Sequence, residues 1–329
     1  MAKLIMMVGV PGSGKSTYTK KIAEKEQAVI LSSDQIYVEI TGDTTNSKPN
    51  DGKVFDELYK RAREHLKQGI NVIIDATNSS AKKRRGVLQQ FKGASQKECY
   101  YICTPFETCV NRDKKRERTV GYGVIKGMYL RLFIPFMDVL NEGFDKVHYL
   151  VSDEFKEQVN GINKDVIETL LPANDYHKLF KALGVIPDFD AIYELPQDST
   201  YHTFSVSRHI FHVLKYVNEH YHQNDKLIMQ YTALFHDIGK AMAKNFKDDQ
   251  RYANFIGHEN ASAQIAMGVL TALGYEEAFV VEVTKLVQLH MRLPREDATE
   301  KAFEKFKNEV NEKTYQQLEF FRQADNQAK

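Results

Sequence analysis

Cysteine is scarce in this chain of 329 residues: there are three, Cys99, Cys103 and Cys109. They form neither a C-x-x-C pair nor an even set, so no disulfide framework is expected and reduced cytosolic thiols are the simplest reading. Excess charge of one sign is also lacking, with 45 Lys and Arg against 44 Asp and Glu and a net charge of +1. Such a balance offers no global attraction for polyanions, so any nucleic-acid contact must be local. No apolar stretch approaches the roughly 20 residues that cross a bilayer. The first apolar run leads straight into a glycine-rich loop, which a signal peptide would not do. Internal repeats and low-complexity tracts are absent. These absences predict a cytoplasmic enzyme with no membrane partner. What is present is ordinary for a globular protein, 42% hydrophobic and 27% charged, in a chain long enough for two domains.

Residues 9–16 read Gly-Val-Pro-Gly-Ser-Gly-Lys-Ser, a complete G-x-x-x-x-G-K-[ST] phosphate loop directly after the apolar run Leu4–Val8. Gly9, Gly12 and Gly14 let the backbone curl so that successive N–H groups, Ser13 included, face phosphate oxygens. Lys15 then reaches the β- and γ-phosphates, and the Ser16 hydroxyl, with Thr17 beside it, is placed for Mg²⁺. The Lys- and Glu-rich segment Ser16–Glu26 supplies the helix whose N-terminus meets the anion. Strand, loop and helix fall in the order the motif requires, and ATP with Mg²⁺ is the expected cofactor.

The first half alternates strand and helix patterns. Strands are expected at Leu4–Val8, Ala28–Leu31, Ile70–Asp75, Glu98–Cys103 and Val147–Val151. Helices are expected near Ser16–Glu26, Val54–Lys67, Ala81–Phe91, Pro105–Arg118 and Lys126–Asn141, with a loop at Gly42–Lys53. Such alternation predicts parallel strands joined by right-handed crossovers. After about Ser152 strand signals vanish and amphipathic helical patterns run to the end. The expected architecture is α/β followed by all-α: a parallel-sheet domain over residues 1–155 and a helical domain over 156–329.

Asp34 follows the second strand, at the end where open α/β sheets bind ligands, and suits a general base for an attacking hydroxyl. An aspartate there also suits an N-cap. Asp75 closes the third strand and could hold Mg²⁺ or its water shell. Arg112 and Arg116, at i and i+4 in a basic stretch running to Arg118, share one helix face and suit a phosphate clamp, as they would a solvated helix.

Together, GVPGSGKST at 9–17, Asp34, IIDATN at 73–78 with Arg84 and Arg85, and the lid-like RDKKRERTVGYGVIKGMY at 112–129 resemble the polynucleotide 5′-kinase family of phosphate-loop phosphotransferases. The resemblance implies that Asp34 activates a 5′-hydroxyl and that Arg112 and Arg116 are lid arginines on the ATP phosphates. One position departs from the family: Tyr37 stands where an arginine would grip the acceptor's 3′-phosphate, which leaves stacking on a base or a different acceptor open.

The second half groups its histidines and carboxylates in short motifs: His202 and His209 in YHTFSVSRH, His236-Asp237 in LFHDIGK, His258 in FIGHEN, His290 in LVQLHMR and Asp325 in RQADN. Imidazole with carboxylate suits Mn, Fe, Co, Ni or Zn, and Mg where carboxylates dominate. This order of motifs resembles the HD superfamily of metal-dependent phosphohydrolases over about residues 195–329. The resemblance implies His209, His236, Asp237 and Asp325 as metal ligands, with His258 and His290 extending the set to a second ion. Two cations about 3.5–4 Å apart, bridged by Asp237, would activate water and neutralise a phosphate ester. Lys240 is placed for a phosphate oxygen or for solvent, and His202 to protonate a leaving alkoxide.

A 5′-kinase joined to an HD phosphoesterase is expected to heal nucleic-acid ends, with RNA or DNA ends as substrate and a separate RNA ligase as a partner. Two alternatives stay open: a metabolite kinase joined to an HD nucleotidase or cyclic-nucleotide phosphodiesterase, and a nucleotide-switched regulatory HD hydrolase. A basic groove at Lys82–Arg85 would favour the polynucleotide acceptor.

Overall fold

A computed structural model describes residues 2–43, 52–198, 203–246 and 251–328. The chain divides into two compact units, residues 1–150 and 151–329. In the first, elements run β1 (Lys3–Val8), α1 (Lys15–Glu26), β2 (Ala28–Ser32), α2 (Ser33–Thr41), α3 (Gly52–Lys67), β3 (Asn71–Asp75), α4 (Ala81–Gln90), β4 (Gln96–Cys103), α5 (Phe106–Lys114), α6 (Tyr122–Tyr129) and β5 (Lys146–Val151). The strands form one sheet in the order β2-β3-β1-β4-β5, and the pairings β2–β3, β3–β1 and β1–β4 are parallel. β1 is central, and Leu4 to Val8 are fully buried. A continuous apolar run, without alternation, is what a strand covered on both faces requires. On one face Ile5, Met7, Ile73, Tyr100 and Ile102 pack with Ile22 of α1. That contact fixes the helix that follows the phosphate loop against the sheet.

Two expected helices are shorter than their patterns. The segment Pro105–Arg118 is helical only at Phe106–Lys114, because the buried Asp113 carboxylate accepts the N–H groups of Val120 (3.1 Å) and Gly121 (2.9 Å) and folds the basic stretch back on itself. The segment Lys126–Asn141 leaves the helix after Tyr129. Pro135 disfavours helix at the residue before it, the Phe133 N–H donates to the Ser79 carbonyl at 2.9 Å, and Leu140 and Asn141 take positive φ of 60° and 45°. Most of the expected loop 42–53 lies outside the described residues.

In the second unit the helices are α7 (Glu154–Gln158), α8 (Lys164–Leu170), α9 (Tyr176–Leu183), α10 (Pro187–Ile192), α11 (Val206–His220), α12 (Lys226–Phe235), α13 (Lys240–Ala243), α14 (His258–Ala272), α15 (Glu277–Leu289), α16 (Glu300–Glu309) and α17 (Glu312–Gln327). α14 is central: Ala261 through Leu270 are all buried, as expected of a helix apolar around its whole circumference. It packs on α15 and α12, while α11 packs on α12 and α17. One short antiparallel pair, β6 (Asn245–Phe246) with β7 (Ala253–Asn254), interrupts the helices. Two residues per strand are too few to carry an alternating pattern, so the sequence gives no sign of it. Among the described residues, no helix is long and apolar enough to cross a membrane.

Candidate phosphate loop and candidate metal centre

The loop after β1 has the shape its glycines predict. Gly12 and Gly14 lie at φ of 80° and 94°. A Cβ on Gly12 would also meet the Cys109 carbonyl oxygen at 2.2 Å, so that position tolerates no side chain. The Gly9 N–H donates to Thr77 at 3.2 Å, and the Ser13 carbonyl accepts the Thr104 hydroxyl at 2.9 Å. Ser13 is buried, and its N–H donates to the Val10 carbonyl at 3.2 Å. Ser16 and Thr17 are exposed in the first turn of α1. Lys15 Nζ donates to the carbonyls of Gly9 (2.8 Å) and Val10 (3.0 Å). Burial lowers its pKa, opposed by the nearby Asp75 carboxylate. Burial raises that of Asp75, opposed in turn by Lys15.

Register brings the two acidic candidates together. Ser32 pairs with Asp75 across β2 and β3, so Asp34, two residues on, lies at the same sheet edge. Asp34 sits inside the first turn of α2 and its side chain is 69% exposed; the N-cap is Ser32. The capping role therefore does not fall to Asp34. Arg112 Nη1 donates to the Gly12 carbonyl at 3.3 Å, and the charge of Arg116 acts on Lys15. Sequence reasoning passed over Arg118, whose guanidinium reaches Asp34 Oδ1 at 3.8 Å. Only the fold-back of the basic stretch at Asp113 brings it there.

Three other residues bear on the acceptor. Arg84 is 1% exposed and makes a bidentate pair with Glu142, both contacts at 2.6 Å, and Arg85 donates to the Leu140 carbonyl. These arginines pin the irregular segment after α6 and do not line a basic groove. Tyr37 is 3% exposed, with its hydroxyl donating to Asp43 at 3.0 Å.

The second unit gathers six of its candidates from five helices. His209 is on α11, His236 ends α12 with Asp237 next, His258 begins α14, His290 ends α15 and Asp325 is on α17. Nε2 of His236 lies 3.3 Å from Nε2 of His209 and 3.3 Å from Asp237 Oδ2, which is 3.4 Å from His209 Nε2. Asp325 Oδ1 approaches His209 Nε2 at 2.9 Å. On the other side Asp237 Oδ1 is 3.1 Å from His258 Nε2, itself 3.2 Å from Nε2 of His290. Two groups able to hold an ion result, His209-His236-Asp237 and Asp237-His258-His290, sharing one carboxylate.

The opposite ring nitrogens are equally ordered. Nδ1 of His236, His258 and His290 each meets the carbonyl three residues before it, at 2.8, 2.9 and 2.7 Å, and Nδ1 of His209 meets Ala328 at 3.0 Å. A carbonyl can only accept, so each Nδ1 carries a proton, and in the neutral ring the lone pair is left on the inward-facing Nε2. That tautomer is the one a metal ligand needs, so the donor set fits a divalent ion.

The electrostatics are those of stacked ionisable groups. Burial opposes ionisation of Asp237, yet His236 and Lys240 hold its carboxyl well below the ordinary range. Burial also works against a charge on His209, but the Asp325 hydrogen bond and Asp237 raise its pKa overall. Burial, with the charges of His258 and His236, pushes His290 down to about 3. Lys240 is buried, its Nζ 2.6 Å from Asp237 Oδ2 and 2.7 Å from Gln197 Oε1. It is therefore not a solvated lysine. A Cβ on Gly239 would meet the His258 carbonyl oxygen at 2.5 Å, so glycine there lets the His-Asp turn close onto α14. His202 lies outside the described residues.

Residues 4–129 match the AAA domain family and residues 200–326 match the HD domain family. An AAA domain precedes an HD domain in this chain. L-seryl-tRNA(Sec) kinase of Methanococcus maripaludis is 26% identical over 185 residues, 49% of this chain and 66% of that protein. CC-adding tRNA nucleotidyltransferase of Thermus thermophilus is 40% identical over 65 residues, 20% of this chain and 15% of that protein. The chain thus spans less than two thirds of the length of these curated relatives. Among solved structures, a chain of the Pnkp1/Rnl/Hen1 RNA repair complex is 26% identical with a TM-score of 0.37, covering 40% of this chain and 44% of that one.

Proposed function

We propose that this chain heals RNA ends with two sites: the AAA domain phosphorylates a 5′-hydroxyl at the expense of ATP, and the HD domain hydrolyses a 2′,3′-cyclic phosphate or 3′-phosphate. The observation that carries the reading is the Asp237 carboxylate shared by two histidine pairs, His209 with His236 and His258 with His290, in the same chain as a complete phosphate loop. Two relatives support an RNA substrate, since their names describe enzymes acting on tRNA.

In the kinase site, the loop N–H groups and Lys15 bind the ATP phosphates, while Ser16 and Asp75 hold Mg²⁺. Asp34 accepts the proton of the attacking hydroxyl, and Arg118 orients its carboxylate. Arg112 and Arg116 meet the charge of the transferring phosphoryl group. In the HD site, His209, His236, Asp237 and Asp325 hold one divalent ion and Asp237, His258 and His290 a second; ions bound there supply Lewis acidity and an activated water. Lys240 keeps Asp237 ionised, and His202 protonates the leaving alkoxide.

The buried Tyr37 favours a second reading, a metabolite acceptor. With its hydroxyl on Asp43 and its ring covered, it neither grips a 3′-phosphate nor offers a face to a base. An RNA oligonucleotide with a 5′-hydroxyl and a 2′,3′-cyclic end, incubated with ATP, Mg²⁺ and Mn²⁺ or Ni²⁺ and weighed at both ends, decides between them. End healing adds a 5′-phosphate and opens or removes the cyclic phosphate. Unchanged ends with ATP or small phosphoesters still consumed would transfer the case to the metabolite reading.

A further inference from the structure

Beside the candidate metal centre is a cavity of about 1070 Å³ whose lining includes Asp237, His258, His290 and Asp325. Three lysine or arginine side chains also line it: Lys240, Arg295 and Arg322. Their charges are not equivalent. Lys240 is neutralised by Asp237 at 2.6 Å, and Arg295 faces Asp297 at 3.3 Å. Arg322 is half-buried, and its Nη1 donates to the Pro294 carbonyl at 2.6 Å. That bond uses one of five guanidinium N–H donors and cancels no charge. Among the described residues no carboxylate forms an ion pair with it.

Arg322 also stands three residues before Asp325 on α17, so the two side chains leave one face of the helix one turn apart. Glu259, Glu296 and Asp297 line the cavity too, yet none of these carboxylates is in ion-pair contact with the guanidinium, and holding it partly out of water without such a contact is costly. The arrangement makes sense if an anion completes it, and the cavity beside the metal ligands is where a phosphate ester would arrive. The planar fork suits two phosphate oxygens at once.

We propose that Arg322 is a substrate-binding residue of the HD site, gripping the phosphoryl oxygens that the metal centre does not hold. It thereby favours dianionic phosphate monoesters over monoanionic diesters. The inference rests on the phosphoesterase reading given above, but its first test does not need turnover. Inorganic phosphate is titrated into Mn²⁺-loaded wild-type, Arg322→Ala and Arg322→Lys proteins by calorimetry, with bound Mn²⁺ and melting temperature measured alongside.

Loss of one or two charge-assisted hydrogen bonds predicts phosphate affinity about ten- to a hundredfold weaker in Arg322→Ala. Arg322→Lys should recover part of that loss, with Mn²⁺ content and melting unchanged in both. The second readout is hydrolysis of p-nitrophenyl phosphate against bis(p-nitrophenyl) phosphate, where Arg322→Ala should raise KM more for the monoester. Wild-type phosphate affinity retained in Arg322→Ala overturns the proposal. Weakened binding accompanied by Mn²⁺ loss in both variants also overturns it, assigning the residue to support of Asp325. Phosphate binding that depends on Arg322 in a protein that hydrolyses neither ester sustains the site and sinks the phosphoesterase reading alone.

Discussion

Replacing His290 by glutamine should remove one metal ion from the HD domain and leave the other. The expectation comes from how the ligands divide. His258, which faces Asp237 Oδ1, is 3.2 Å from His290, whereas His209 and His236 are 3.3 Å apart and both face Oδ2. Glutamine at 290 takes one of three chain ligands from the second group and touches none of the first. Loss of an outer-shell partner alone typically weakens metal affinity about 10- to 100-fold, and loss of a direct ligand should exceed that. Mn²⁺ measured by elemental analysis after gel filtration should fall from about two ions per chain to about one. Asp237→Asn, which weakens a ligand shared by both groups, should fall below one. Circular dichroism and melting show whether each variant is folded. If His290→Gln keeps two ions, or if wild type never binds more than one, the shared-carboxylate arrangement does not operate as a two-metal site.

Lys15→Ala or Asp34→Ala should abolish ATP-dependent phosphorylation and leave phosphoester hydrolysis intact, and His236→Ala should do the reverse; loss of both activities in a folded variant would refute two independent sites. Arg84→Met should cost about 3–5 kcal/mol in urea unfolding, because it strands the buried Glu142, while Arg84→Met with Glu142→Leu should recover most of that; equal losses in the two proteins would refute the account. Glu98 is held below the ordinary carboxylate value despite its burial, through hydrogen bonds from His148 and Lys3. Its folded pKa is depressed, so its stabilisation is complete above the unfolded carboxylate value of about 4.3 and is lost as pH falls through the lower folded value. Glu98→Gln should therefore be less stable than wild type at neutral pH and converge with it on acidification, and a gap that widens toward low pH would contradict this.

The fold was legible where one pattern fixed one element. β1 could be read because five consecutive apolar residues before a glycine-rich loop admit few other structures, and the crossovers followed from the spacing of the strands. What could not be read depended on contacts distant in sequence. Nothing local to Lys115–Gly121 says that Asp113 will accept two N–H groups from Val120 and Gly121 and end the helix. Nothing near Leu130 announces that Phe133 will donate to Ser79. The same limit explains Arg84. A charged residue on an amphipathic helix normally faces water, and only Glu142, 58 residues later, gives it a reason to be buried.

For the candidate sites the division runs between residue type and residue role. The six metal-ligand candidates could be named from sequence because the order of their short motifs resembles that of the HD superfamily. Three of the four histidines stand where a helix begins or ends, so Nδ1 can reach the carbonyl three residues earlier while Nε2 points across the gap. That geometry turns a list of histidines into a donor set with one tautomer, and no spacing rule encodes it. Arg118 and Arg322 illustrate the converse. Neither was given a role from sequence, one lying in a basic run and one on a polar helix. Their significance comes from what tertiary packing places beside them: for Arg118 a carboxylate in the first turn of α2, and for Arg322, which forms no ion pair among the described residues, a cavity beside the candidate metal centre. A charge's partner, or the lack of one, is therefore the functional signal that sequence hides best, and arginines around phosphate-handling sites are where structure adds most to motif reading.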